Sequence, residues 1–325
     1  MKSFKTMMLL GWFSAGVLCT VAGAFAQNYP TKPIHVIVGF GPGGVADLTV
    51  RVVAQKLSGQ LGQQVLIENR PSAGGIIAAD AVAKAAPDGY TLLLMSNGNA
   101  VSASLFKSLP YDTVGDFASV STLGFFDIAV ITKSDSKVSS IKDLLAYAKA
   151  NPGKLNLGTI SIGSTQHLSA ELFKGMTGID AMIVPYKGSP DVLVALRGND
   201  VHVAFDMLAP IMSQLKSGVV RVIAVTSDRR FQGLPNVPTV AESGVAGYQA
   251  SSWNAISVPA KTPQPIIDRL SKEINLALSA PEVKSKLLDL GVAARGSTPE
   301  EMKTLLVSDI NKWRGVIERA KIEKQ

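Results

Sequence analysis

Two turns rich in glycine and hydroxyl residues carry the side chains best suited to chemistry. In "VIVGFGPGGVAD" an apolar run enters a loop holding Phe40, Gly41, Gly43 and Gly44, and Asp47 follows as a helical pattern begins. Glycine lets backbone N–H groups approach a ligand closely, and a helix starting at such a loop points unpaired N–H groups and a partial positive charge at it. The chemistry implied is anion binding, of phosphate, sulfate or carboxylate. Pro42 stiffens the turn and removes one donor. Gly39, Gly41 and Gly44 also satisfy G-x-G-x-x-G, with Glu68 downstream where a ribose-binding acid would stand. On this motif alone, an oxidoreductase holding a dinucleotide at Gly39–Gly44 stays open, as does a plain strand-to-helix turn.

A second turn has the same grammar. "TISIGSTQHLSAEL" places Gly163 at the bend and Ser164, Thr165 and Gln166 in the first turn of the next helix, followed by His167. Ser164 reads equally well as an anion donor or as an N-cap. His167 reads as a donor to the anion or as a residue packed beneath the loop. Asn97, after "LLLMS", and Asp206, closing "VHVAFD", stand at the carboxyl ends of expected strands. There Asp206 is placed to accept from a ligand hydroxyl or ammonium, or to cap the following helix. If the two loops face each other, both helix N-termini converge where open α/β sheets bind their ligands. One anion gripped from two sides is the simplest use of that geometry.

Other chemistries find little support. No G-x-S-x-G elbow and no H-E-x-x-H motif occurs, and His35, His167 and His202 are dispersed. These absences argue against nucleophilic catalysis and a zinc site; the expectation is a non-enzymatic protein with no metal and no cofactor, with the dinucleotide oxidoreductase as its rival. Formal net charge is +7, without basic runs interleaved with aromatics, which argues against nucleic acid as a partner. Residues 1–26 read as a secretory leader: Lys2 and Lys5 open it, an apolar stretch follows, and Ala24-Phe25-Ala26 offers a cleavage site after Ala26. Cys19, the only cysteine, falls inside that leader, so the exported chain must be stabilised by its core. Export to the periplasm also weighs against a redox dinucleotide.

The elements that must position these turns alternate. "IHVIVGF", "QQVLIENR" and "YTLLLMS" read as strands, separated by the helical patterns after the glycine loop and at "GGIIAADAVAKAA". The alternation restarts after Asp127 with strands "LNLGTI", "AMIVPY" and "VHVAFD" and helices at "GSTQHLSAELFKGM" and "SPDVLVALRGN". Helices close the chain at Pro265–Leu278, at Pro281–Leu290 and from "STPEEM", where Thr298 and Glu301 form an expected capping box. The organisation expected is residues 27–126 with 250–325 as one domain and 127–249 as the other. Two extended crossings, near Phe126 and near Ala250, would form the hinge.

The chain resembles the solute-binding receptors of tripartite tricarboxylate transporters, the Bug family of periplasmic proteins. The resemblance rests on "YPTKPIHVIVGFGPGGVAD", "VLIENRPSAGG", "APDGYTLLL", "NPGKLNLGT", "GSTQHLSAELF", "VPYKGSPDVLVALRGNDVHVAFD", "LPNVPTVAESG" and "SSWNAISVPAKTP". It implies an α/β, two-domain fold like that of type II periplasmic binding proteins, closing on a small organic carboxylate. It further implies that the Phe40–Asp47 and Gly163–His167 loops clamp that carboxylate through backbone amides, hydroxyls and water. On the same basis the expected partners are a dicarboxylate, tricarboxylate, acidic amino acid or aromatic acid, then a membrane transporter or sensor kinase, with the receptor a monomer. Ala255 where the family often has glycine, and the absence of proline before Gly247, depart from its pattern outside the two loops.

Overall fold

The computed structural model describes Tyr29–Gln325; the expected leader and its cleavage site lie outside those residues. Strand β1 (Ile34–Val38), helix α1 (Val45–Leu61), β2 (Val65–Asn69), α2 (Ile76–Ala83), β3 (Thr91–Ser96) and α3 (Asn97–Leu105) lead into the long β4 (Phe117–Lys133). The alternation then resumes with α4 (Ile141–Ala150), β5 (Leu155–Ile160), α5 (Thr165–Thr177) and β6 (Ala181–Tyr186). It continues through α6 (Ser189–Gly198), β7 (Val203–Met207), α7 (Leu208–Lys216) and β8 (Val220–Val225). Strand β9 (Ser251–Pro259), helices α8 (Gln264–Ser279) and α9 (Pro281–Asp289), β10 (Val292–Ala294) and α10 (Pro299–Arg319) complete the chain.

Local sequence explains these boundaries. Helix α5 starts at an N-cap serine, Ser164, and stops at Gly178, which takes the left-handed conformation that ends helices. The capping box of α10 forms as expected: Thr298 Oγ1 accepts from Glu301 N–H at 3.1 Å, and Glu301 returns a carboxylate to Thr298 N–H at 2.8 Å. Strands β1 and β3 are buried along nearly their whole length because helices cover both faces of a parallel sheet.

The strands run in the order β2-β1-β3-β9-β4-β7-β5-β6, with β8 and β10 also paired to β4. Parallel β-α-β units form both flanks, β1 with β2 and β3, and β5 with β6 and β7. Between them β9 and β4 run antiparallel to each other and to the flanks. The 17-residue β4 serves both halves: Phe117–Asp127 pairs with β9, and Ile128–Ile131 pairs with β7. The change of partner falls beside the crossing expected near Phe126. At the other crossing, Ala250 N–H donates to the carbonyl of Thr226 at 2.8 Å, directly before β9 begins.

One hydrophobic cluster spans the two halves, taking Met95, Trp253 and Trp313 from one and Ile128, Leu157, Phe173 and Phe205 from the other. Both tryptophans are fully buried, so each indole N–H needs an internal acceptor. Trp253 on β9 donates to Asp309 Oδ2 on α10 at 2.7 Å, which fastens the last helix to a central strand. Removing that acceptor strands a buried donor, at a cost of about 1–3 kcal/mol. The Asp309→Ala protein is expected to lose stability of that order in urea unfolding, whereas Asp309→Asn, which keeps an acceptor oxygen, retains most of it.

Candidate functional site

At the carboxyl ends of the flanking strands lies a cavity of about 610 Å³. Four helices begin at its wall. Val45 and Ala46 of α1, Gly98 of α3, Thr165 and Gln166 of α5, and Leu208 and Ala209 of α7 all border it, each within the first two or so residues of its helix. First-turn N–H groups have no backbone partner inside their own helix, so α1, α5 and α7 present donors along the wall, whereas Gly98 N–H of α3 is taken by the Ser96 hydroxyl at 3.1 Å. Phe40, Val101, Leu105, Phe106, Phe126, Ile160, Ile162 and Met207 supply apolar surface between them. Among the described residues no lysine, arginine or histidine borders the cavity, and Asp127 is its one ionisable side chain. Burial pushes Asp127 up to about 6; the Ser227 hydroxyl and Arg295 pull it back, while Asp228 adds to the rise. An anion placed here is met by helix dipoles, N–H groups and hydroxyls.

The glycine loop is built around an inward carboxylate. Asp47 is buried, and its Oδ2 accepts from Gly43 N–H at 2.9 Å and from Arg51 Nε at 2.9 Å, while Oδ1 accepts from Asn69 Nδ2 at 2.8 Å. Hydrogen bonds from Arg51, Gly43 and Asn69 hold its pKa below the usual carboxylate range despite desolvation. Asp47 therefore braces the loop from behind, in a position that faces away from a ligand. Gly43 sits at φ 80°, a left-handed geometry that costs other residues roughly 1–2 kcal/mol. Gly41 and Gly43 leave open space where side chains would stand, while a Cβ on Gly44 would meet Gly41 O at 3.7 Å; of this loop Phe40 borders the cavity, and Gly41, Gly43 and Gly44 do not. Gly39 serves packing instead, since a Cβ there would come within 2.7 Å of Gly75 Cα; its absence allows β1 to pack against the turn before α2.

The second loop resolves the double reading of Ser164. Its hydroxyl accepts from His167 N–H at 3.1 Å and donates to the Ile160 carbonyl at 3.2 Å, and its own N–H goes to Ser161 O at 3.0 Å. With both capacities used internally, Ser164 is an N-cap at the cavity wall, in place of the hydroxyl donor expected. Thr165 keeps a free hydroxyl proton: its Oγ1 accepts from Asn97 Nδ2 at 2.9 Å. Asn97 is fully buried and also accepts from Trp313 Nε1 at 2.8 Å, so it stands behind the wall and ties α3 to α5 and α10. Gly163, at φ 80°, presses on Leu105 of α3, and a Cβ there would come within 2.6 Å of Leu105 Cδ2.

His167 and Asp206 are buried beside the cavity, neither bordering it. The His167 side chain packs beneath the loop with no hydrogen-bond partner for Nδ1, and burial alone lowers its pKa to about 4. Asp206 is wholly buried; its Oδ1 accepts from Met207 N–H, Ser189 Oγ and Gln166 Nε2, and burial raises its pKa against those hydrogen bonds. Motif and spacing named Gln166 only as a first-turn residue of α5 and did not single out Ser252 or Asn254, and all three border the cavity. The fully buried Asn254 follows the expected crossing by a few residues on β9, yet nothing in "SSWNA" marks which side chain faces a cleft.

A family model described as the tripartite tricarboxylate transporter family receptor matches residues 49–322. The chain belongs to that receptor family. It is 36% identical over 321 residues to the protein BugT of Bordetella pertussis, covering 98% of both chains. Among solved structures it is similar to R. palustris Rpa4515 with adipate, at TM-score 0.76 and 35% identity over 91% of this chain and 99% of that one. It is also similar to MatC from Rhodopseudomonas palustris with bound malate, at TM-score 0.71 and 29% identity over 89% and 100%. The two-domain α/β fold is that of these periplasmic receptors. The family is one of receptors, and the oxidoreductase reading of the Gly39–Gly44 loop is thereby set aside.

The buried His167 makes stability depend on pH with a definite sign. Its folded pKa lies near 4 against an ordinary 6.5, so the unfolded chain binds the proton more readily. Its contribution is therefore fully present above pH 6.5 and is lost as pH falls towards 4, by about 3 kcal/mol at most. Unfolding followed across that interval is expected to show a shallower loss of stability for His167→Gln than for the parent protein.

Proposed function

We propose that this protein is a periplasmic receptor that captures a small organic carboxylate in the cleft between its domains for a tripartite membrane transporter or a sensor. The observation that carries this reading is the convergence of the α1, α3, α5 and α7 N-termini on one cavity without a basic side chain among its described lining. Such a site suits a compact anion that accepts many hydrogen bonds, and relatives solved with adipate and malate support the class. We assign the contacts to backbone donors of the Phe40–Ala46 loop, including Gly41 and Gly44 but not Gly43, whose N–H is held by Asp47, and to Gly163, Thr165 and Gln166 opposite. Asp47, Asn97, Ser164, His167 and Asp206 hold these donors in place.

In this reading residues 27–126 with 250–325 form one domain, 127–249 the other, and β4 with the segment before β9 the hinge. The cleft leaves Phe40 37% and Ile162 55% exposed, one on each lip. Closure that buries both would add apolar surface to the ligand's own contacts, and differential contact of that kind is what drives a domain movement. Export through the residue 1–26 leader places the receptor where such a ligand first arrives, and it acts there as a monomer.

Calorimetric titration of the mature protein with dicarboxylates, tricarboxylates, acidic amino acids and aromatic acids is expected to give saturable heat with at least one class. Thr165→Val, which removes a free hydroxyl, is expected to weaken that binding by about 1 kcal/mol. Ser164→Ala is expected to lower stability by about 1 kcal/mol through loss of the cap. A folded protein that yields no heat with any acid in the panel would overturn the proposal.

A further inference from the structure

The polar side chains around the start of α5 give the site a second point of recognition. We propose that Gln166 is a specificity-determining residue that presents a fixed acceptor oxygen to the cavity, so that the receptor selects acids carrying a hydroxyl or ammonium group close to the carboxylate. This inference rests on the carboxylate-receptor reading and narrows its ligand class.

The orientation of the Gln166 amide follows from its partner. Asp206 Oδ1 accepts from Met207 N–H at 2.8 Å, from Ser189 Oγ at 2.9 Å and from Gln166 at 3.3 Å. A backbone N–H can only donate, so Oδ1 is an acceptor whether or not the carboxyl carries a proton on Oδ2. The Gln166 group facing Asp206 must then be its NH₂, which leaves its carbonyl oxygen on the other side of the amide. Gln166 is 4% exposed and borders the cavity, and that oxygen takes no hydrogen bond from the described residues. The pair is thus a relay in which Asp206 is the positioning residue and Gln166 Oε1 the group that meets the ligand.

The position of Gln166 sets what it can read. It follows Thr165 in the first turn of α5 and lines the same cavity, so in this proposal Thr165 serves the carboxylate and the Gln166 oxygen reads a substituent close to it. A hydroxyl or ammonium there satisfies the oxygen. An unsubstituted acid leaves it buried and unpaired, and a second carboxylate beside it is repelled.

The test is calorimetry with probe series of equal chain length: propanoate, lactate and alanine; succinate, malate and aspartate; glutarate, 2-hydroxyglutarate and glutamate. At the best-bound length the hydroxy or amino acid is expected to bind about five-fold or more tightly than its unsubstituted parent, the worth of one net hydrogen bond. Gln166→Leu is expected to remove that preference, so that substituted and parent acids bind alike, and Gln166→Glu, which keeps an acceptor, to retain it for the amino acid. Asp206→Asn frees the amide to turn and is expected to erode the preference in the same way; if it fails to fold, the Gln166 variants decide. Equal binding of substituted and parent acids by the unaltered protein, or a preference that survives Gln166→Leu, would overturn the inference and leave the receptor reading standing. Absence of binding by every probe would overturn the inference, and silence with the tricarboxylates and aromatic acids as well would remove the receptor reading too.

Discussion

An anion taken out of water into an apolar cleft must be given donors to replace those it leaves, and here none of the described bordering side chains is basic. The architecture answers with geometry. Three antiparallel pairings in succession, β3 with β9, β9 with β4 and β4 with β7, turn the parallel strands of the two flanks in opposite directions. Their carboxyl ends therefore face each other, and the helices that follow start at the cavity between them, with first-turn N–H groups unpaired inside the helix. The sheet order, the cleft and the absence of lining cations among the described residues are thus parts of one arrangement for handling negative charge with dipoles.

Dipoles are useful only if they are held still. The polar residues around the cleft are therefore largely spent on one another: Asp47 on Gly43, Arg51 and Asn69; Ser164 on its own helix turn; Asn97 between Thr165 and Trp313. Pre-formed donors of this kind lower the ordering cost that binding would otherwise carry. The wall that results is braced from behind by side chains that a ligand does not need to rearrange.

Much of this was legible in the residues. The strand-loop-helix units around Phe40 and Gly163 have apolar runs, bend glycines and helical periodicity in order, and the Thr298 capping box announces α10. The α3 segment "NGNAVSASL" carries too little apolar periodicity to stand out, and proline interrupts "LAPIM" at the start of α7. The direction of side chains was less accessible still. Asp47 and Ser164 were visible as site residues because of their position, but whether a carboxylate or hydroxyl faces a ligand or its own loop depends on Asn69, Arg51 and Ile160, which only the folded chain brings into contact. The acceptor face of Gln166 depends in the same way on Asp206, 40 residues away.

Strand β4 ends one half of the sheet and begins the other, and this has a bearing on the order in which the chain can fold. Its second part finds β7 and β8 within the next stretch of sequence, and β5 joins through β7, so the middle of the chain meets its own partners early. The first part must wait for β9, and Asn97 must wait for Trp313, 216 residues downstream. Contacts that distant form late because the loop they close is long. During synthesis or translocation, the middle segment is thus positioned to consolidate as a nucleus while the amino-terminal strands remain without their covering helices.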